Sequence, residues 1–255
     1  MKRLQHVRTR RQLFRITAAS AASIPFLALS RNPASAQIFI PKHVGCLLKG
    51  TKILTHSGDR PVEELQIGDE VQTLAGPKAI KWIGYNKFTK EEGRSWQDSV
   101  MPVRVARFAI DDHTPQCDLY LSPRHCMFFN EVLIPVMYLI NEASIAEASP
   151  SDMSALEYYH IEFETHEVIY AEGALVESFD GMDRENFSNF VQHERLYGRE
   201  RPSAMKLFAP ILRYDGRRQE LKGLVRSLLS NVVDVRDPIQ IAYDQLADRA
   251  EAMLV

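Results

Sequence analysis

The run Cys46-Leu47-Leu48-Lys49-Gly50-Thr51-Lys52-Ile53-Leu54-Thr55 sets a short apolar, branched segment, Lys52 to Thr55, against the turn-forming His56-Ser57-Gly58-Asp59. Pro61-Val62-Glu63-Glu64-Leu65 then leads into Gly68-Asp69-Glu70-Val71, after which Val71 and Thr73 alternate with polar neighbours. Further out, Ala79 to Gly84 carries Ile80, Trp82 and Ile83, and Val103-Arg104-Val105-Ala106-Arg107-Phe108 is another alternating stretch. Glu91 to Gln97 is polar, contains Gly93 and reads as a loop. Many short strands separated by turns from Thr51 to Tyr170 predict a mainly β, compact domain rather than an α/β enzyme.

Two later blocks fit this frame. Asp118-Leu119-Tyr120-Leu121-Ser122-Pro123-Arg124-His125 ends an apolar strand in a turn that carries a hydroxyl and an imidazole three residues apart. Tyr158-Tyr159-His160-Ile161-Glu162-Phe163 and Val168-Ile169-Tyr170 alternate on either side of Glu164 to His166 and predict a hairpin. Tyr159, Ile161 and Phe163 then share one face, His160 and Glu162 share the other, and His166 reads as a turn residue.

In this order the blocks resemble the Hint module shared by Hedgehog autoprocessing domains, inteins and their bacterial relatives, over about Cys46 to Phe187. The resemblance implies that Cys46 attacks the peptide bond before it, the Gly45–Cys46 bond. It also implies that Ser122 stands near the scissile carbonyl, where a hydroxyl stabilises oxyanion charge, and that His125 reaches the amide nitrogen, which leaves only when protonated. His160 falls near the position where many inteins carry a catalytic aspartate, and a histidine can serve there as acid or base near neutral pH. Inteins close with Ala-Asn-Gly, a few apolar residues and His-Asn. This chain reads Ala171-Glu172-Gly173-Ala174-Leu175-Val176-Glu177-Ser178. Serine has no side-chain amide to cyclise, so C-terminal splicing is not expected. Glu177-Ser178-Phe179 followed by Arg184-Glu185-Asn186-Phe187 is similar to the bacterial stand-alone form.

Three function classes follow. In the first, a self-cleaving, single-turnover domain forms a thioester at Gly45–Cys46 with its own N-terminal segment as substrate, and water, a thiol or an alcohol resolves it without a cofactor. The second is an exported Hint-fold binding or structural module whose Cys46 is inert. The third is a metal site drawn from His113, Cys117, His125, Cys126, His160 and His166, but their spacings match no standard zinc pattern, so no metal is expected. Three cysteines are too few for a disulfide scaffold, and whether Cys117 and Cys126 pair is left open by their spacing.

Ahead of Cys46 the chain reads as an export signal. Residues 1–36 hold seven basic residues and no acid, Ile16 to Ser30 is modestly apolar, and Ala34-Ser35-Ala36 has the small-x-small form of a cleavage site. Thr9-Arg10-Arg11-Gln12-Leu13-Phe14 resembles a twin-arginine signal, which implies a periplasmic or secreted protein starting at Gln37, with Gln37 to Gly45 as a short leader. A basic tail or an uncleaved anchor are the alternatives, although the apolar run falls short of the roughly 20 residues a spanning helix needs. The remaining body has 24 basic against 33 acidic residues, a net charge of −9, which argues against a nucleic-acid partner. No later segment is apolar enough to predict a membrane span.

The Hint-like domain is thus expected over 46–190, with a charged linker and helical region over 191–255. Leu221, Leu224, Val225, Leu228 and Leu229 fall at helical spacing. Asp237-Pro238-Ile239-Gln240 offers an N-cap, a proline at the first helical position and a capping-box glutamine, with Ile239, Tyr243, Leu246 and Met253 along one side. These helices are expected to pack on the β domain or to offer a surface to a protein partner.

Overall fold

The alternation seen in the sequence becomes two antiparallel sheets in the computed structural model, which describes residues 45–90, 95–96, 100–148, 154–198, 204–212 and 237–253. The expected export signal, the expected helix over Leu221 to Leu229 and most of the Glu91 to Gln97 stretch lie outside the described residues. The strands are β1 (Leu47–Leu48), β2 (Lys52–Thr55), β3 (Gly58–Pro61), β4 (Glu70–Thr73), β5 (Gly76–Ala79), β6 (Trp82–Thr89) and β7 (Val103–Val105). They continue as β8 (Leu119–Leu121), β9 (Cys126–Phe129), β10 (Val132–Pro135), β11 (Ile145–Glu147), β12 (Ala155–Glu162), β13 (Val168–Ala171) and β14 (Ala174–Glu177). One sheet runs β11-β7-β8-β1-β12-β6, and the other runs β10-β9-β14-β13-β2-β4-β5 with β3 paired to β2. The fold is therefore mainly β, as the sequence predicts.

The Gly68-Asp69 segment has a structural task. The Asp69 carboxylate accepts from Arg60 at 2.8 Å and from the Gln66 backbone N–H at 2.9 Å, which ties β3 to the entry of β4.

One expectation is overturned. Tyr158 to Tyr170 is not a hairpin, because β12 pairs with β6 and β1 in the first sheet while β13 pairs with β14, β2 and β4 in the second. The segment between them carries the chain from one sheet to the other. Both faces of β12 are buried near its end, so alternation survives without a solvent face. Ile161 and Phe163 enter the main core, with Tyr159 packed against it, while Leu156 and Tyr158 enter a second cluster with Cys46, Leu48, Trp82, Phe179 and Phe187. The true hairpin is β13–β14, closed by Glu172 and Gly173 with φ of 49° and 83°. Two successive left-handed residues are what a two-residue hairpin turn matching the strand twist requires. Glu172 holds that unfavourable backbone through its carboxylate, which accepts from the Lys52 N–H at 2.7 Å, and its own N–H, which donates to the Lys52 carbonyl at 2.8 Å.

Helix α1 (Phe190–Tyr197) follows a short turn at Arg184–Asn186. Its His193 is buried edge-on to Trp82, and the Tyr197 hydroxyl donates to the Lys81 carbonyl at 2.6 Å. Arg184 forms a two-pronged ion pair with the fully buried Glu162, at 2.7 and 2.9 Å, and locks this turn to the end of β12.

Helix α2 (Pro238–Ala252) is capped by the Asp237 carboxylate, which accepts from the Ile239 N–H at 3.0 Å, while Gln240 donates its side-chain amide to Asp244 at 2.7 Å. Its buried stripe is Ile239, Ala242, Leu246 and Ala250, three of which join the main core. Tyr243 is only half-buried and Met253 is exposed. Small alanines let the helix approach the sheet closely. Arg249 fixes the far end by donating to the Phe108 carbonyl and pairing with Asp112 at 2.8 Å. Among the described residues no helix is long and apolar enough to cross a membrane.

Candidate active site

Two strand pairings bring the site together. Leu47 lies opposite Leu121 in β8 and Tyr159 in β12, so continuing each register by one residue sets Cys46 between Ser122 and His160. Residues opposite one another on antiparallel strands project to the same side, with Cβ atoms roughly 4.5–5.5 Å apart. Cys46 and His160 therefore share a face. The turn from Ser122 to His125, closed by the His125 N–H on the Ser122 carbonyl at 3.0 Å, is the crossing from β8 in one sheet to β9 in the other. The candidate groups thus gather where the chain crosses between the two sheets.

The Cys46 backbone N–H, the nitrogen of the Gly45–Cys46 bond, donates to the Ser122 hydroxyl at 2.7 Å, and the Ser122 N–H returns a bond to the Cys46 carbonyl at 2.9 Å. Ser122 thus meets the amide nitrogen, and the Gly45 carbonyl faces His125, where it offsets part of the burial effect on that ring. The hydroxyl projects from the first residue of the turn, across from Cys46 in the ladder, and so reaches the nitrogen side of the bond, where the resemblance implies the imidazole.

Gly45 is clamped. A methyl group built on its Cα would lie 2.7 Å from the His125 Cα, 3.1 Å from the His125 nitrogen and 3.0 Å from Glu177 Oε1. Only glycine fits at the carbonyl-bearing residue of the bond.

Burial dominates the electrostatics. The Cys46 thiol is pushed far above its ordinary range, first by burial and then by the Glu177 carboxylate, so it rests protonated. The His125 pKa is lowered to about 3, chiefly by burial, with a smaller effect from His166. His160 is lowered well below its usual range by burial and by His125 and His166, while the carbonyls of Ser178 and Glu177 partly offset this. The two rings lie 5.1 Å apart, and none of their four nitrogens reaches hydrogen-bond geometry with another described residue. Both are therefore neutral at pH 7, each with one nitrogen able to accept a proton and one able to give it.

His166, read from sequence as a turn residue, is a buried member of this cluster. Its Nδ1 accepts the Phe208 N–H at 3.0 Å, so the neutral ring carries its proton on Nε2, which stands 3.9 Å from the Glu177 carboxylate. Burial lowers its pKa, partly offset by Asp180, the Ser178 carbonyl and Glu167. Glu177 closes the arrangement, its Oε1 accepting the Cys126 N–H at 2.8 Å. Charge at the end of a hydrophobic strand was the available sequence signal for Glu177. Ser178 is held by the Glu167 N–H on its hydroxyl at 2.8 Å and by its own N–H on the Glu167 carbonyl at 2.9 Å.

A cleft of about 210 Å³ reaches the site, walled in part by Gly45, His160, Glu177, Ser178 and Phe179, with Arg124, Asp180 and Asp183 also lining it. All three cysteines are free thiols, Cys117 exposed and Cys46 and Cys126 buried. Among the described residues no group of three or more His, Cys, Asp or Glu is placed to hold a metal ion, so the set drawn from His113, Cys117, His125, Cys126, His160 and His166 does not assemble as one.

The chain is similar to several solved structures. The gp41-1 intein is 16% identical over 52% of this chain and 98% of its own, with a TM-score of 0.38. A DnaB intein from Synechocystis sp. PCC 6803 is 9% identical over 53% and 99%, with a TM-score of 0.37. A bacterial intein-like domain from Clostridium thermocellum is 11% identical over 52% and 98%, with a TM-score of 0.30. No curated protein matches the chain significantly. The family model described as Hint domain matches residues 45–182, more than half of the chain and every residue of the reacting cluster, and the chain belongs to the Hint domain family.

Proposed function

We propose that this domain cleaves its own chain at Gly45–Cys46 through an N-to-S acyl shift, without C-terminal splicing. The observation that carries this reading is the held scissile bond: its N–H on Ser122 at 2.7 Å, its glycine clamped by His125 and Glu177, and two neutral imidazoles beside it.

In this reading the neutral His160, across the ladder from Cys46, takes the thiol proton as Sγ attacks the Gly45 carbonyl carbon. The C–S bond forms, and an N–H of His125 facing the Gly45 oxygen stabilises the developing charge. The C–N bond then breaks as His160 returns the proton taken from sulfur to the Cys46 nitrogen, which becomes a free amine. Ser122 fixes that nitrogen's direction throughout. The net result is a thioester and an amine with no change in proton count. The raised thiol pKa makes proton removal the demanding step, so the imidazole pair matters more here than in a site with a preformed thiolate.

Incubation with dithiothreitol, followed by intact mass, tests the proposal. A thiol is expected to release the segment ending at Gly45, hydroxylamine is expected to trap it as a hydroxamate, and Cys46→Ala is expected to abolish both. His125→Ala is expected to slow release by about a hundredfold or more. An unchanged mass in thiol at several pH values refutes the cleavage reading and leaves the binding or structural module.

The substrate is the chain's own N-terminal segment. Export through the twin-arginine-like signal belongs to the same proposal, and replacing Arg10 and Arg11 by lysine is expected to retain the precursor in the cytoplasm. Unchanged periplasmic delivery refutes that part. A protein partner at the C-terminal helices has less support, because α2 spends its apolar stripe on the domain's own core.

A further inference from the structure

We infer that Glu177 is the general base that delivers water to the Gly45 thioester, so that the domain is a hydrolase of its own acyl intermediate and releases the preceding segment as a free carboxylate. This rests on the acyl shift proposed above and names the nucleophile that completes it.

Position comes first. Glu177 Oε1 would lie 3.0 Å from a methyl group on Gly45, so the carboxylate stands beside the residue that carries the acyl group. It is held there by the Cys126 N–H, with the His166 Nε2 standing 3.9 Å from its other oxygen. Such fixed geometry is what a general base needs, since a carboxylate free to rotate would rarely meet both a water and the carbonyl.

Access comes second. The cleft that reaches Gly45 and Glu177 holds about 210 Å³, below the roughly 300–1,000 Å³ of pockets that enclose drug-sized ligands. Arg124, Asp180 and Asp183 line the same cleft. Pro135, Met137, Met182 and Ile211 line it as well, so it is the small volume that favours water over a bulky alcohol. Third, Ser178 cannot cyclise, so no C-terminal step competes for the thioester.

The step balances. Water attacks the thioester carbonyl as Glu177 takes its proton. The new C–O bond forms, the C–S bond breaks, and the departing sulfur recovers a proton by way of Glu177. The products are a Gly45 carboxyl group and the Cys46 thiol.

The test compares the full chain with Glu177→Gln, whose amide oxygen can still accept from Cys126, in oxygen-18 water with and without hydroxylamine. Wild-type protein is expected to place one oxygen-18 on Gly45, and the variant to lose about a hundredfold of its water-dependent release while hydroxylamine still traps the acyl group. Hydroxamate formation together with unchanged hydrolysis in the variant overturns the role of Glu177 and leaves the acyl shift standing. Absence of hydroxamate from wild-type protein overturns the acyl shift itself. If the variant lacks a cooperative thermal transition, the rate of wild-type thioester hydrolysis in heavy water decides instead. Slower hydrolysis in heavy water supports proton removal by the base, and an equal rate overturns it.

Discussion

Replacing Gly45 by alanine is expected to slow the proposed cleavage. The added Cβ meets the His125 Cα at 2.7 Å and the His125 nitrogen at 3.1 Å, and both are backbone atoms in a turn closed by its own hydrogen bond. No rotamer relieves that contact. Either Gly45 withdraws from His125 or the Ser122 to His125 turn opens, and each movement strains the 2.7 Å bond that holds the scissile nitrogen. Overpacking a well-filled site costs about 1–3 kcal/mol. If the strain falls on the reacting geometry, that range corresponds to about a fivefold to 150-fold slower release, at 1.36 kcal/mol per tenfold. Thiol-induced release of Gly45→Ala, followed by mass alongside the thermal midpoint, separates a local effect from general unfolding. Wild-type release with an unchanged midpoint would refute the clamp and with it the placement of His125 against this bond.

Three further outcomes are expected. In the folded protein iodoacetamide labels the exposed Cys117 first, while Cys46 and Cys126 react only on unfolding, as peptide mapping of a labelling time course will show; early labelling of Cys46 contradicts its burial. Stability falls as pH drops from about 6.5 toward 3, because the unfolded histidines take up protons while His125, its pKa near 3, stays neutral in the fold, and His160 and His166 act in the same direction. Each such histidine contributes up to about 1.4 kcal/mol per pH unit within its window, so flat denaturant midpoints between pH 6.5 and 5 would argue against their neutral burial. No fragment starting at Phe179 forms under any redox condition, since Ser178 has no amide nucleophile and its hydroxyl is engaged by Glu167, and N-terminal sequencing of the products is the check.

The parts of this site that lie in local sequence were legible there. Cys46, Ser122 and His125 sit in short blocks whose residue types announce strand, turn and nucleophile, and each stands at the junction described. The crossing after Phe163 was hidden, because two alternating strands around a short polar turn read alike whether they pair with each other or with different sheets. His166 was misread for the same reason: a histidine between Thr165 and Glu167 looks like turn polarity until a distant segment brings the Phe208 N–H to its ring. Glu177 showed as a charge at the end of a hydrophobic strand, standing in place of a histidine, since its neighbours Gly45 and Cys126 are remote in sequence. In α2, Tyr243 and Met253 drew attention by size, whereas the contact falls on Ala242 and Ala250.

The two ends of the reacting cluster, Gly45 and Glu177, flank nearly the whole β domain, and the groups between them are brought together by chain crossings that connect one sheet to the other. A ribosome emits the bond first and the carboxylate last. Under the proposed cleavage, severance would therefore report completion: a nascent or truncated chain lacking β14 is expected to keep the segment ahead of Cys46 attached, and only a polypeptide that has closed both sheets to release it.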